Sequence, residues 1–225
     1  HTDAVQAFQY LNCSVEALGI YLMTLSSQKM YGPKGIGVLY ARRQIADSKW
    51  QIAKNHQPSA IGHMPMIVPI ITGGGQEQGL RSGTENVPAI VGFAKAVAMA
   101  DRMREEEVKR VRQLQQYCEQ QLHTVSTKIQ LNSKVRHTLP HILNVYIPQF
   151  SAQELLVHLD LLGIAISSGS ACSARSTEPS SVIQALGYSK ERASRSIRIS
   201  FGRPTTEKDI NRLVGALKSI IRRKF

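Results

Sequence analysis

Cysteine is scarce in this sequence of 225 residues, with three at positions 13, 118 and 172. Their number is odd, they lie far apart and none forms a CxxC pair. That excludes a disulfide framework and the usual zinc or dithiol spacings. A reducing cytoplasm is the expected setting, with a thiol left free for chemistry. Aromatic residues are only 6%, and almost none falls in the basic clusters at 102–112, 190–203 and 222–224. A nucleic-acid surface needs stacking aromatics among its cations, so no direct nucleic-acid binding is expected. The excess of Lys and Arg, 28 against 16 Asp and Glu, mostly alternates with acids on helical patterns and reads as a solvated face. No apolar run reaches the roughly 18–20 residues of a membrane span. The seven histidines offer no metal spacing. His137 and His141 are four apart, but Leu139-Pro140 between them breaks any shared helical face, so the histidines are assigned to surface and packing.

What is present is a globular composition. Hydrophobic residues make up 42%, with 16 Gly and 9 Pro, which suits a packed core rather than a disordered or collagen-like chain. There is no signal or transit segment and no initiator Met, and His1-Thr2-Asp3 reads as the end of a strand. A preceding piece is therefore expected, removed or carried separately.

Strands are predicted over 18–25, a short apolar run, and over 36–41 beyond the punctuation Gly32-Pro33-Lys34-Gly35, the two as antiparallel neighbours. Residues 44–66 read as a surface loop. A glycine-rich loop, Thr72-Gly-Gly-Gly-Gln-Glu-Gln-Gly79, leads to Arg81-Ser-Gly-Thr84. Val87 to about His123 carries helical periodicity, and its charged second half, Met103–Leu122, is expected to be an exposed helix joining two lobes. A domain boundary is placed near 104. Further strands are expected at 128–131, 142–147, 164–167 and 196–201. Ser151-Ala-Gln-Glu154 is a capping box opening a helix to Leu162 that Gly163 stops, and Thr206-Glu-Lys-Asp209 opens the last helix. Alternating strands and helices make an α/β chain.

Three positions stand out chemically. Lys29 follows an apolar strand, where an ammonium is costly unless neutralised or covalently bonded. Asp3 sits at another strand end, where a carboxylate can keep a pyridine nitrogen protonated. Cys172 lies in Ser167-Ser-Gly-Ser-Ala-Cys-Ser-Ala-Arg-Ser-Thr-Glu-Pro179, a small polar stretch expected to be exposed. Cys118, on the long helix, is expected to be structural, and Cys13 incidental.

Four segments occur in order: Asp3-Ala-Val-Gln6, Ser26-Ser-Gln-Lys29-Met-Tyr-Gly-Pro-Lys-Gly35, Gly73-Gly-Gly-Gln-Glu-Gln-Gly-Leu-Arg-Ser-Gly-Thr84 and Ser167-Ser-Gly-Ser-Ala-Cys172. Together they resemble the cysteine desulfurases of the class V aminotransferase family, which use pyridoxal 5′-phosphate (PLP). The resemblance runs along nearly the whole chain. It implies the PLP-dependent transferase fold, with residues 1–104 as the later part of a large, mainly parallel α/β/α cofactor domain and 105–225 as a smaller α+β domain carrying the catalytic cysteine. It also implies that about the first two fifths of such an enzyme are absent from this chain.

The resemblance further implies the roles. Lys29 would bond PLP and shuttle the substrate α-proton. Asp3 would pair with the pyridine nitrogen, Gln6 with the ring hydroxyl and Ser26 with the phosphate. Thr84 would reach the PLP phosphate of a neighbouring subunit, making a homodimer. Cys172 would take sulfur from L-cysteine as a persulfide, releasing alanine, and pass it to an acceptor protein, a cluster scaffold or a tRNA-thiolation carrier. Arg198, in Ser196-Ile-Arg-Ile-Ser200, would bind the substrate carboxylate through parallel N–H donors, with Ile197 and Ile199 on the opposite strand face. Arg203 is assigned a structural role. Gln28 departs from the family's usual His before the lysine. An amide can hydrogen-bond a phosphate but carries no charge at neutral pH. The rival readings are a selenocysteine lyase or another PLP enzyme of the same fold, and a non-catalytic sulfur carrier or regulatory binding protein.

Overall fold

The computed structural model describes residues 1–42, 67–133, 138–168 and 179–223. The chain divides into two compact units, His1–Arg104 and Glu105–Phe225.

The first unit holds a three-stranded mixed sheet. Strands β1 (Thr2–Asp3) and β2 (Leu22–Ser26) run parallel, and β2 pairs antiparallel with β3 (Gly37–Ala41). The register sets Asp3 opposite Thr24 and Ser26 opposite Gly37. Alternation along β2 sends Met23 and Leu25 into a core with Ala4, Met30, Phe93, Ala96 and Ala100, as the period of two requires.

The apolar run at 18–25 is only partly strand. Its first residue closes a short helix, α1 (Val15–Leu18), which Ser14 caps by accepting the Ala17 N–H, and Gly19 ends it in the left-handed conformation at φ 61°. Hydrophobicity alone cannot place that stop. The Ser14 cap and the Gly19 turn could, and they hold the strand back to Leu22. The loop expected at 44–66 lies outside the described residues.

Helix α2 (Val87–Val125) runs through the boundary between the units. Its second half was expected to be exposed, and the structure corrects this. Val111, Leu114, Cys118 and Leu122 recur at helical spacing and are almost wholly buried in the core of the second unit. Gln115, fully buried on the same stripe, donates to the Leu139 and Ile142 carbonyls. The charges occupy the remaining faces, so a charged composition concealed a narrow apolar seam.

In the second unit β4 (Gln130–Leu131), β5 (Ile142–Tyr146) and β6 (Ser196–Ser200) form an antiparallel sheet in sequence order. Helix α3 (Ala152–Asp160) carries the predicted capping box at Ser151 and Glu154. Helix α6 (Glu207–Arg222) carries the one at Thr206 and Asp209 and lays Ile210, Leu213, Val214, Leu217 and Ile220 on the core. Two further short helices, α4 (Ser181–Ala185) and α5 (Lys190–Ser194), precede β6.

No strand forms at 164–167. Residues 161–164 are committed to the end of α3, with the Gly163 N–H on Asp160 O and the Ile164 N–H on Leu159 O. What remains makes one isolated antiparallel bridge, Ser167 to Arg198. No helix among the described residues is long and apolar enough to cross a membrane.

Candidate active site

The Lys29 segment is a single 3₁₀ turn, Ser27–Met30, directly after β2. A 3₁₀ turn repeats every three residues, so Ser27 and Met30 face inward and are buried while Gln28 and Lys29 face solvent. The structure thus corrects the expectation that the Lys29 ammonium would be costly after an apolar strand, because the turn carries it out of the core. Met30 anchors the turn in the core. The Ser27 N–H donates to Ile36 O and the Gly32 N–H to Ser27 O, which closes the turn on both sides. A Cβ at Gly32 would lie 2.2 Å from Ser27 Oγ and 2.9 Å from Ala96 Cβ, so only glycine lets the turn seat this closely on α2. The buried Ser27 Oγ has no hydrogen-bond partner among the described residues, a cost of about 1–3 kcal/mol for a buried hydroxyl. Lys29 makes no ion pair among the described residues.

Asp3 ends β1 beside β2. Its Oδ1 accepts the Val5 N–H at 2.9 Å, which fixes the orientation of an exposed carboxylate. His1 Nε2 and Thr24 Oγ1 are 2.7 Å apart across the same strand pair. Gln6 is exposed just beyond Asp3, and Ser26, the last residue of β2, is half-buried. Asp3, Gln6, Ser26, Gln28 and Lys29 are thus brought to the carboxyl ends of two adjacent parallel strands by the β1–β2 register. In open α/β sheets that is the end where ligands bind.

Thr84 stands apart from this group in the chain, exposed just before α2. Its loop is braced from within, since Gln76 Oε1 accepts the Gly83 N–H at 3.0 Å and Ser82 is buried with its N–H on Ile71 O.

In the second unit Arg198 occupies the middle of β6. Ile197 and Ile199 are buried on one face and the half-buried Arg198 takes the other, as the alternation predicts. Arg198 Nη2 donates to Ser167 Oγ at 3.3 Å. Ser167 belongs to the motif that ends at Cys172, yet its pairing with Arg198 is a sheet contact that no local pattern announces.

Cys172 lies outside the described residues, as does His137. The other two thiols are free and buried. Burial, reinforced by the Glu119 carboxylate, pushes the Cys118 thiol up to about 12. Burial also raises Cys13, against the lowering effect of the Arg104 guanidinium. The thiolate is the nucleophile, so both are poor sulfur acceptors at neutral pH. No group of three or more His, Cys, Asp or Glu residues among the described residues could hold a metal ion.

The family model for aminotransferase class-V matches residues 1–213. The chain is 36% identical over 221 residues to the cysteine desulfurase IscS of Dictyoglomus turgidum, covering 98% of this chain and 51% of that protein. It is 40% identical over 218 residues to the mitochondrial cysteine desulfurase of Arthroderma benhamiae, covering 97% and 39%. Among solved structures, the NifS-like protein of Rickettsia africae superposes with a TM-score of 0.78 at 30% identity, over 99% of this chain and 53% of that one. Another NifS-like protein superposes with a TM-score of 0.80 at 29% identity, over 98% and 51%. The chain thus spans about half the length of the relatives it matches.

Proposed function

The chain belongs to the aminotransferase class-V family, whose members work with PLP, and from that premise we propose that the complete protein is an L-cysteine desulfurase. In net terms L-cysteine and the Cys172 thiol become L-alanine and a Cys172 persulfide. One sulfur moves, and the hydrogen of the thiol it joins balances the C–H formed in alanine. The observation that carries the reading is the β1–β2 pairing, which sets Asp3 and the Lys29 turn at the ends of neighbouring parallel strands. The named desulfurases among its relatives support it and do not favour the selenocysteine-lyase or non-catalytic readings.

The residues present fit PLP by their chemistry: an exposed primary amine without a carboxylate partner among the described residues, a fixed carboxylate one strand away, and hydroxyl and amide donors beside them. When bound, the cofactor supplies an electron sink that makes bonds at the substrate α-carbon labile. Lys29 Nζ would hold it and then carry a proton to and from the substrate. Asp3 would keep the ring nitrogen protonated, Gln6 would hydrogen-bond the ring hydroxyl, and Ser26 and Gln28 would hold the phosphate. Thr84 would serve the phosphate in a second subunit, which makes the assembly a homodimer. Arg198 would receive the substrate carboxylate in bidentate fashion.

Residues 1–104 form the later part of the cofactor domain in this reading, and 105–225 the smaller domain bearing the sulfur acceptor. Cys172 is the thiol left for the task, because Cys13 and Cys118 are buried and held protonated. A protein acceptor, a cluster scaffold or thiolation carrier, would collect the sulfur in the cytoplasm, where thiols stay reduced. The test supplies L-cysteine, PLP and a dithiol reductant to the full-length protein and measures alanine and sulfide. Cys172→Ser is expected to abolish turnover while the visible absorbance of the bound cofactor persists. Undiminished turnover would refute the role of Cys172.

A further inference from the structure

Arg198 is gripped by one residue through both its main chain and its side chain. Across the isolated bridge the Arg198 N–H donates to Ser167 O at 2.7 Å, and the Ser167 N–H donates back to Arg198 O at 3.2 Å. Residues that exchange both bonds in an antiparallel pair stand directly opposite, with their side chains on the same face of the sheet. On that face Arg198 Nη2 reaches Ser167 Oγ at 3.3 Å. On its other side β6 pairs with β5, Arg198 lying opposite Asn144. The Arg198 backbone is therefore pinned from both flanks, and its guanidinium is steadied by a hydroxyl on a short, polar side chain.

The position matters because a guanidinium recognises a carboxylate by geometry. Its N–H donors form a flat fork, and two parallel bonds form only if the plane of the fork meets the plane of the carboxylate. A long, flexible side chain loses entropy in adopting that plane, and less is lost if the plane is already held. One Nη2 hydrogen bond to Ser167 limits rotation about the end of the side chain.

We propose that Ser167 is a positioning residue that orients the Arg198 guanidinium to receive the carboxylate of the amino-acid substrate, so that selection for a carboxylate-bearing thiol depends on the Ser167–Arg198 pair. The inference rests on the desulfurase reading, which assigns the substrate carboxylate to Arg198. It makes no use of the cofactor.

The experiment measures binding rather than turnover, on the full-length holoprotein by titration calorimetry. The probe is 3-mercaptopropionate, which has a thiol and a carboxylate but no amine, and ethanethiol is the same thiol without the carboxylate. Ser167→Ala should weaken binding of 3-mercaptopropionate by about three- to tenfold, the usual net worth of one ordinary hydrogen bond, since the lost bond acts on the ligand only through the orientation of Arg198. Binding of ethanethiol should not change. Ser167→Cys, which keeps the size but offers a weak acceptor, should behave like alanine, and Ser167→Thr should restore affinity to within about twofold of the parent. In an Arg198→Lys background Ser167→Ala should add little, because the fork it orients is gone. KM for L-cysteine should rise in step with the binding constant while kcat moves less.

Full affinity in both Ser167→Ala and Ser167→Cys, alongside a loss in Arg198→Lys, would overturn the inference and leave the desulfurase reading standing. Equal loss for both probes would reduce Ser167 to a structural role and overturn it as well. If Arg198→Lys binds the probe normally and the parent protein makes no alanine from L-cysteine, the underlying reading fails instead.

Discussion

The seat of Lys29 can be tested by filling the space that Gly32 leaves open. Gly32→Ala places a methyl 2.2 Å from Ser27 Oγ and 2.9 Å from Ala96 Cβ. The hydroxyl can rotate away. The Ala96 Cβ cannot, because it is fixed to helix α2. The turn must therefore lift from the helix, and overpacking of this kind costs about 1–3 kcal/mol. At a urea slope of about 2 kcal/mol/M the unfolding midpoint should fall by about 0.5–1.5 M. The same lift displaces Lys29, so the full-length variant should also take up PLP more weakly, read from the visible absorbance at limiting cofactor. Ser27→Ala provides the control. It removes a buried hydroxyl that has no partner among the described residues, so on its own it should be neutral or stabilising by up to about 1 kcal/mol. Combined with Gly32→Ala it should recover part of the loss, because one of the two close contacts disappears, and the double-mutant coupling measures that part. A Gly32→Ala protein with unchanged midpoint and unchanged cofactor uptake would refute the reasoning, since the seat of the turn on α2 would then not position the lysine.

Two further expectations concern stability and pH. Cys118 has its proton affinity raised in the folded state, from an ordinary 9.0 to about 12. Its contribution to stability is complete below pH 9 and is lost progressively as pH rises from 9 towards 12, where the unfolded thiol ionises first. Urea midpoints measured from pH 8 to 10.5 should decline, and Cys118→Ala should decline less over that range, although it starts lower because of the cavity. A slope identical in the two proteins would remove Cys118 as its source. Ser151→Ala deletes the hydroxyl that accepts the Glu154 N–H in the α3 capping box. It should lower stability by about 0.5–2 kcal/mol in equilibrium urea unfolding, with alanine production from L-cysteine unchanged at temperatures well below the transition.

Local chemistry announced the parts of the structure that have local causes. The capping boxes at Ser151 and Thr206 open helices where the residue pattern places them, because a cap is settled within four residues. Strand β6 shows Ile197 and Ile199 inward with Arg198 outward, because alternation is a property of extended backbone. The expectations that failed depended on distant chain. The strand looked for at 164–167 shrank to one bridge, since the preceding residues stayed with the end of α3. The second half of α2 looked exposed by its charge, and only the opposing sheet and α6 reveal that Val111, Leu114, Cys118 and Leu122 face a core.

The candidate site divides in the same way. Its residue types and their order along the chain, from Asp3 and Lys29 to Arg198, are legible in the amino-acid string, because a lysine after a buried strand and an arginine on a strand face carry their chemistry with them. The string does not contain the register that sets Asp3 against Thr24, the inward Ser27 and Met30 that turn Lys29 outward, or the hydroxyl of Ser167 against Arg198. Those arise when strands far apart in the chain share hydrogen bonds and when a turn finds a glycine-wide gap over a helix. Pairing and close packing are relations between segments, so only the folded molecule could decide them.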